Sequence, residues 1–204
     1  HYSFFTLLLM LDLIQTIEIL SPKEVKDLNE YIDTLEFRTN SVFDQGNGVT
    51  RQDIRNSTGC TLNEDNNLTK NLHLKMNSAL DEYQNRISKV NEMFSVYPAI
   101  GGYDTTSWRE GIQILDYIEG QKYNFHHDVA DEKEKIEFHR TISIVLYLTN
   151  DFEGGRTLFT HKEYKPLPGH ALIFPSNWCF PHSGETVTNG KKRVAVTWYY
   201  VERQ

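Results

Sequence analysis

"KRVAVTWYYV" (residues 192–201) is the stretch that decides the fold. It is dense in β-branched and aromatic side chains and contains neither Gly nor Pro, so it reads as a strand. Other runs of the same texture precede it: "WREGIQILDYI" (108–118), "RTISIVLYL" (140–148), "RTLFT" (156–160) and "HALIFP" (170–175). Glycine, proline and an Asn-Asp turn separate them. Upstream the texture differs. "LSPKEVKDLNEYIDTL" (20–35) predicts a helix with Ser21 as N-cap, Pro22 at its first position and Glu24 closing a capping box. Val25, Leu28, Ile32 and Leu35 then recur at helical spacing. A second helix is predicted over about residues 68–95, where Leu72, Met76, Leu80, Tyr83, Ile87, Val90 and Phe94 are spaced by three and four. Between the two, "RTNSVFDQGNGVTRQDIRNSTG" (38–59) reads as a loop or a short strand pair. Helices first and short strands after imply an α+β chain: a β-sandwich or jelly roll with the N-terminal helices packed on one sheet. No repeat or low-complexity linker interrupts it. One domain is therefore expected over 1–204, with 1–107 as helical support and 108–204 as the jelly-roll core.

The 204 residues suit one domain with a proper core. A net charge of -7, with "KEKIEFHR" and "GKKR" as the basic knots, argues against a nucleic-acid partner. The two cysteines, Cys60 and Cys179, are too few for a disulfide scaffold and lack zinc-site spacing. Reduced thiols in a cytoplasmic setting are expected. The apolar run 4–11 is shorter than the roughly 20 residues that span a bilayer. It also lacks the basic flank and cleavage site of a signal peptide. It is expected to form a buried element, with no membrane association.

Chemistry enters with "YNFHHDVADEKEK" (123–135). On an extended strand His126 and Asp128 share a face and His127 points away, because side chains alternate. A third ligand must come from a distant strand, and "FPSNWCFPHSGETV" (174–187) offers His182. Two histidines and one carboxylate on one face of an octahedron form the facial triad of non-haem Fe(II) oxygenases, with three positions open. A surface loop holding a satisfied histidine is the bland alternative. Lys192, ten residues after His182, argues for the triad. Oxygenases that use 2-oxoglutarate need a fixed cation for its far carboxylate.

With these residues in place, the sequence resembles the prolyl 4-hydroxylase family of Fe(II)/2-oxoglutarate dioxygenases. "RQDIRNSTGCTL" resembles the family's Arg-x-Ser segment, and "EGIQILDYIEGQKYNFHHD" its pattern of Tyr, Gly-Gln, Tyr and His-x-Asp. "RTISIVLYLTNDFEGGRTLF" resembles its Arg-Thr strand followed by Gly-Gly-x-Thr-x-Phe. "PGHALIFPSNWCFPHSGETVTNGKKRVAVTW" resembles the distal-histidine segment that closes on Gly-x-Lys and a Trp. The resemblance implies a double-stranded β-helix, a cupin-like jelly roll. It implies Fe(II) on His126, Asp128 and His182, with 2-oxoglutarate, O2 and ascorbate as the further cofactors. It assigns Lys192 to the C5 carboxylate of 2-oxoglutarate, Tyr147 and Thr157 to the same carboxylate, and Tyr117 to the co-substrate pocket. Arg140 and Trp198 match positions that line a peptide groove. The implied reaction hydroxylates proline in a peptide or protein while 2-oxoglutarate is decarboxylated to succinate. Tyr117, Tyr147 and Trp198 could equally be core aromatics. The chain departs from the family at Arg156, where an acid is usual, and at Thr186, where a proline is common. Both departures are expected at the pocket rim. A free amino acid or other small molecule is the rival substrate, with Arg156 and the "GKKR" knot holding its carboxylate. A non-catalytic metal-binding cupin-like module is the rival to the enzyme. Loops 38–59 and 127–139 are expected to cover a bound peptide.

Overall fold

The computed structural model describes residues 13–40, 42–44, 47–49, 54–92, 109–129 and 138–202. The apolar run 4–11, Phe94 and most of the 127–139 loop lie outside the described residues. The chain starts with β1 (Gln15–Glu18), a first helix (Pro22–Ile32), β2 (Arg38–Thr39), β3 (Val42–Asp44), β4 (Asn47–Val49) and β5 (Thr58–Thr61). A long helix (Asn67–Val90) follows. Then come β6 (Gln113–Ile118), β7 (Tyr123–His126), β8 (Phe138–Tyr147), β9 (Phe152–Gly154), β10 (Thr157–Phe159) and β11 (Glu163–Tyr164). β12 (His170–Pro175), β13 (His182–Gly184) and β14 (Val187–Glu202) complete it.

The helix starts follow the local chemistry. Ser21 and Glu24 form the expected capping box, with Pro22 in the first turn. Asn66 caps the long helix, its side chain accepting from the amides of Leu68 and Thr69. That helix ends at Val90, short of the expected residue 95. Within 38–59 the short strand pair is present, and two further strands join the main sheet. β3 and β4 form a hairpin, while β2 and β5 extend the main sheet beyond β6.

Two antiparallel sheets face each other, as a jelly roll requires. The main sheet runs β1-β12-β8-β14-β6-β5-β2, with β9 joined to the start of β14. The smaller sheet runs β11-β10-β13-β7. Strand alternation sorts the main sheet into two faces. Ile114, Ile144, Leu146, Ala171, Ile173 and Ala195 face the helices, where Val25, Leu28, Ile32, Leu72, Met76 and Leu80 bury against them. Each such Val, Leu, Ile or Met side chain contributes about 1.5–3 kcal/mol of burial. Leu115, Leu172, Phe174, Val194 and Val196 face the smaller sheet, where they pack with Phe159 and Phe180.

β14 shows how this alternation positions chemistry. Lys192 has the parity of Val194, Val196 and Trp198 and faces the inner space. Arg193 has the opposite parity and points to the helix side. There it donates Nε and Nη2 to Asp116 at 2.7 and 2.8 Å and Nη1 to Asp33 at 2.7 Å. Between β9 and β10, Gly154 and Gly155 both have positive φ (66° and 63°). A Cβ at Gly154 would lie 2.3 Å from the Thr186 carbonyl oxygen, so the Gly-Gly pair is a backbone requirement. No described helix is long and apolar enough to cross a membrane.

Candidate metal centre

The inner space opens as a cleft of about 550 Å³ between the sheets. His126 and His182 line it together because β7 and β13 pair there: the two histidines are direct cross-strand partners. That pairing brings together residues 56 positions apart in sequence. Their ring centroids lie 4.5 Å apart. Asp128 arrives by a different route from the one its spacing predicts. β7 ends at His126, and Asp128 sits in the bend beyond it, its amide donating to the Ser176 carbonyl at the end of β12 (3.1 Å). The bend brings Oδ1 to 3.4 Å from His126 Nε2 and Oδ2 to 3.7 Å from His182 Nε2. One donor atom from each of the three residues falls within 4.8 Å of the others. His127 is exposed, as expected.

The surroundings suit a cation. His126 Nδ1 contacts the Asn124 carbonyl at 2.7 Å and His182 Nδ1 the Phe180 carbonyl at 3.2 Å, which directs both Nε2 atoms at the centre. Ser143 Oγ donates to Asp128 Oδ2 at 2.6 Å and is itself bonded to Ser176 Oγ at 2.8 Å. Burial opposes charge on Asp128, but the two imidazoles and Ser143 outweigh it and hold the carboxyl well below the usual range. Burial also drives His182 down to about 4 against the pull of Asp128. An ionised carboxylate and a neutral imidazole are the metal-binding forms of these groups. Donor set, convergence and the outer hydrogen bonds all fit a divalent metal.

Lys192 lines the same cleft and is 4% exposed. Its Nζ lies 5.0 Å from the Tyr147 ring centroid and 5.5 Å from that of Tyr117. It makes no hydrogen bond or ion pair among the described residues. Burial pulls it down to about 7 despite the attraction of Glu185. A buried cation without a partner is a receptor for an anion. Thr157 and Tyr117 line the cleft beside it. Tyr147 is fully enclosed, its hydroxyl 2.7 Å from Thr157 Oγ1, and does not itself line the cleft.

Arg140 and Trp198 also line the cleft, with the guanidinium 3.7 Å from the indole centroid. Arg140 pairs with Glu110 through two bonds (Nη2 to Oε2, 2.8 Å) and reaches the Asp128 carbonyl at 3.3 Å. Arg156 is not available to a small carboxylate. Its Nε and Nη2 hold both oxygens of Glu185 and its Nη1 holds Glu163. The knot around Lys192 is likewise engaged, with Lys191 and Arg193 both on Asp116.

Several cleft residues carry no signal in composition or spacing. Arg55 is buried, its Nε bonded to Ser57 Oγ at 3.1 Å and its guanidinium 5.1 Å from the Tyr123 centroid. Its Nη2 has no hydrogen-bond partner among the described residues. Tyr123 in turn stacks on His126 at 3.7 Å. Arg55 stands in the quoted Arg-x-Ser segment, which was the available clue. Glu110 and Ser143 had none, since each is an ordinary polar residue until its partner is known.

Residues 112–200 match the family described as the 2OG-Fe(II) oxygenase superfamily. The expected resemblance to prolyl 4-hydroxylases is borne out among the chain's relatives. A protein of Acanthamoeba polyphaga mimivirus named after prolyl 4-hydroxylase is 36% identical over 107 residues, covering 44% of each chain. "Prolyl 4-hydroxylase 1" of Arabidopsis thaliana is 28% identical over 207 residues, covering 89% of this chain and 66% of the plant protein. The chain spans less than half the length of several of its curated relatives. Among solved structures it is similar to the viral collagen prolyl hydroxylase of Paramecium bursaria chlorella virus-1 in its 2OG complex. The TM-score is 0.66 at 20% identity, covering 93% of this chain and 96% of that one. This likeness shows the shared double-stranded β-helix fold.

Proposed function

We propose that the protein is an Fe(II)/2-oxoglutarate-dependent dioxygenase that hydroxylates proline in a peptide or protein. The observation that carries the reading is the joint placement, in one cleft, of a convergent His-Asp-His group and a buried, unpartnered lysine. His126, Asp128 and His182 would hold Fe(II) on one face. Iron, when bound with 2-oxoglutarate, supplies the oxygen activation that couples decarboxylation of the co-substrate to C–H hydroxylation. Lys192 would hold the distal carboxylate of 2-oxoglutarate by a charge-assisted bond, with Thr157 beside it and Tyr147 fixing Thr157. Leu115, Val145, Val194 and Val196 give the cleft an apolar wall that keeps water from the reacting centre. Arg140 and Trp198, braced by Glu110, form the wall where a substrate chain would lie.

Proline as the target is favoured by the naming of the relatives, which include plant and viral prolyl 4-hydroxylases. A similar solved structure is a prolyl hydroxylase from Trichoplax adhaerens in complex with a hypoxia inducible factor peptide fragment. The small-molecule alternative loses its support, because Arg156, Lys191 and Arg193 are engaged in ion pairs. The binding-module alternative leaves the buried Lys192 without a purpose. Both Cys60 and Cys179 are free thiols, which suits a cytoplasmic setting.

The test is 2-oxoglutarate consumption with Fe(II) and ascorbate, with and without a proline-rich peptide, for the wild type and Asp128→Ala. Peptide-stimulated turnover that disappears in the variant supports the proposal. Turnover that is lost in the variant but indifferent to peptide keeps the dioxygenase and removes the substrate. No turnover in either protein sends the reading back to a metal-binding module.

A further inference from the structure

We propose that Arg109 is a positioning residue for the substrate wall: gripped by His73 of the long helix and by Glu64, it fixes the neighbouring Glu110 against Arg140 and Trp198. This rests on the substrate role given to that wall above. It adds the reason the wall holds one shape.

Arg109 and Glu110 open the run that leads into β6, and their side chains go to opposite sides of the main sheet. Glu110 takes the cleft side. It holds Arg140 through Nε and Nη2, the latter at 2.8 Å, and the Arg140 guanidinium lies 3.7 Å from the Trp198 indole centroid. Arg109 is buried on the helix side. There its Nη1 donates to His73 Nε2 at 2.6 Å, and its Nη2 lies 3.6 Å from Glu64 Oε2. His73 is buried too. Burial and the charge of Arg109 pull its imidazole down to about 4, so it is neutral and can accept from the guanidinium.

The strand alongside repeats the arrangement. Arg109 forms an antiparallel bridge with Tyr199 of β14. Tyr199 also packs on the helix side, where its hydroxyl donates to Asn77 Oδ1. His73 and Asn77 stand one helical turn apart, so a single face of the long helix holds both sheet residues. On the reverse side of the same two strands sit Glu110 and Trp198. The Glu110 amide donates to the Trp198 carbonyl at 2.9 Å, and Thr197 Oγ1 donates to the Glu110 carbonyl at 2.8 Å. The wall thus has a continuous backing, from the helix through Arg109 and Tyr199 to Glu110 and Trp198, and from these to Arg140. Neither Arg109 nor Tyr199 lines the cleft. Any effect they have on a bound chain must pass through the residues in front of them.

The experiment is calorimetric titration of the Mn(II)-loaded protein without oxygen, first with 2-oxoglutarate and then with a proline-rich peptide. The variants are Arg109→Ala, Arg109→Lys, Tyr199→Phe, Glu110→Gln and the double variant Arg109→Ala/Glu110→Gln. Arg109→Ala is expected to weaken peptide binding about 3- to 10-fold while 2-oxoglutarate affinity stays within about twofold. Arg109→Lys keeps a donor for His73 and should fall between the wild type and Arg109→Ala. Once Glu110→Gln has loosened Arg140, adding Arg109→Ala should cost less than about a further twofold. Full additivity overturns the proposal, because Arg109 then does not act through Glu110. Equal losses of peptide and 2-oxoglutarate overturn it as well, since they report a general distortion. So does an Arg109→Ala protein that binds peptide like the wild type. Should Arg109→Ala fail to fold, Arg109→Lys and Tyr199→Phe carry the test: each is expected to lose about 2- to 3-fold in peptide affinity alone, and wild-type affinity in both overturns the proposal. Wild-type protein that takes 2-oxoglutarate but no proline-rich peptide overturns the substrate reading, and this proposal with it.

Discussion

Replacing Lys192 with methionine should make the metal-free protein more stable at neutral pH and blind to 2-oxoglutarate. Burial brings the ammonium from an ordinary 10.5 to about 7. At 1.36 kcal/mol for each factor of ten, that gap of about 3.5 sets an upper bound of ~5 kcal/mol on the cost of carrying the charge into the fold. Replacement of buried ions by well-packed apolar groups more often stabilises by about 1–4 kcal/mol, which is the expected gain. The sign fixes the pH window. Between about pH 7 and 10.5 the unfolded chain holds the lysine proton and the folded chain releases it, so wild-type stability rises with pH through that range. Below about 7 both states are protonated and the full cost is present; above 10.5 it is gone. Lys192→Met should therefore exceed the wild type most at pH 6–7 and converge with it near pH 10. Urea melts of the metal-free proteins at several pH values measure this directly. With Mn(II) and 2-oxoglutarate at 100 times its Kd, the wild type should gain about 2.7 kcal/mol and the variant nothing beyond the metal alone. A variant less stable than the wild type at pH 7, or one that still binds 2-oxoglutarate with wild-type affinity, would refute the reasoning.

Three further outcomes are expected. Ser143→Ala removes the hydroxyl that orients Asp128 and should lower Mn(II) affinity about 10- to 100-fold with little change in the far-ultraviolet dichroism; unchanged affinity would show that Asp128 needs no such support. Gly154→Ala places a methyl group against the Thr186 carbonyl at positive φ and should cost at least about 1–3 kcal/mol in denaturant melts. A neutral result there would mean that the β9–β10 turn relaxes freely. Glu110→Gln loosens Arg140 against Trp198 and should raise the peptide KM about tenfold, ~1.4 kcal/mol, with the 2-oxoglutarate KM unmoved; equal changes in both constants would point to a general distortion instead.

Much of this arrangement was readable before any coordinates. Helix caps at Ser21 and Asn66 rely on local chemistry, and the first was assigned from four residues of sequence. The strands of the inner core announced themselves because β-branched runs have few other stable states. His126, Asp128, His182 and Lys192 were found by spacing, and the structure brings them to one cleft. The reason for Asp128 was different, however: alternation places it on the face of His126 only if the strand continues, and β7 ends at His126. Asp128 is held instead through its amide bond to the Ser176 carbonyl, a partner that no local pattern discloses. Glu110 and Ser143 were invisible for the same reason, since their meaning lies in partners 15 to 33 residues away, whereas Arg55 had its place in the Arg-x-Ser segment as a clue. Arg156 was placed correctly at the rim but read as free, because a sequence shows a charge and not its neutraliser. The apolar run 4–11 and the proposed substrate-covering role of loop 127–139 lie at or beyond the described residues.

The opposed directions of Lys192 and Arg193 have a consequence for how this chain can vary. Adjacent cations occupy opposite sides of one strand, Lys192 lining the cleft and Arg193 paired with Asp116 and Asp33. Deleting or inserting a single residue in β14 near Gly190 would exchange them. The guanidinium would then enter the cleft and the ammonium would meet Asp116. Charge balance would survive on both sides, yet every valine and alanine beyond would be turned inside out. Length in that stretch is thus far less free than side-chain chemistry, and natural variants there should substitute residues without changing their number.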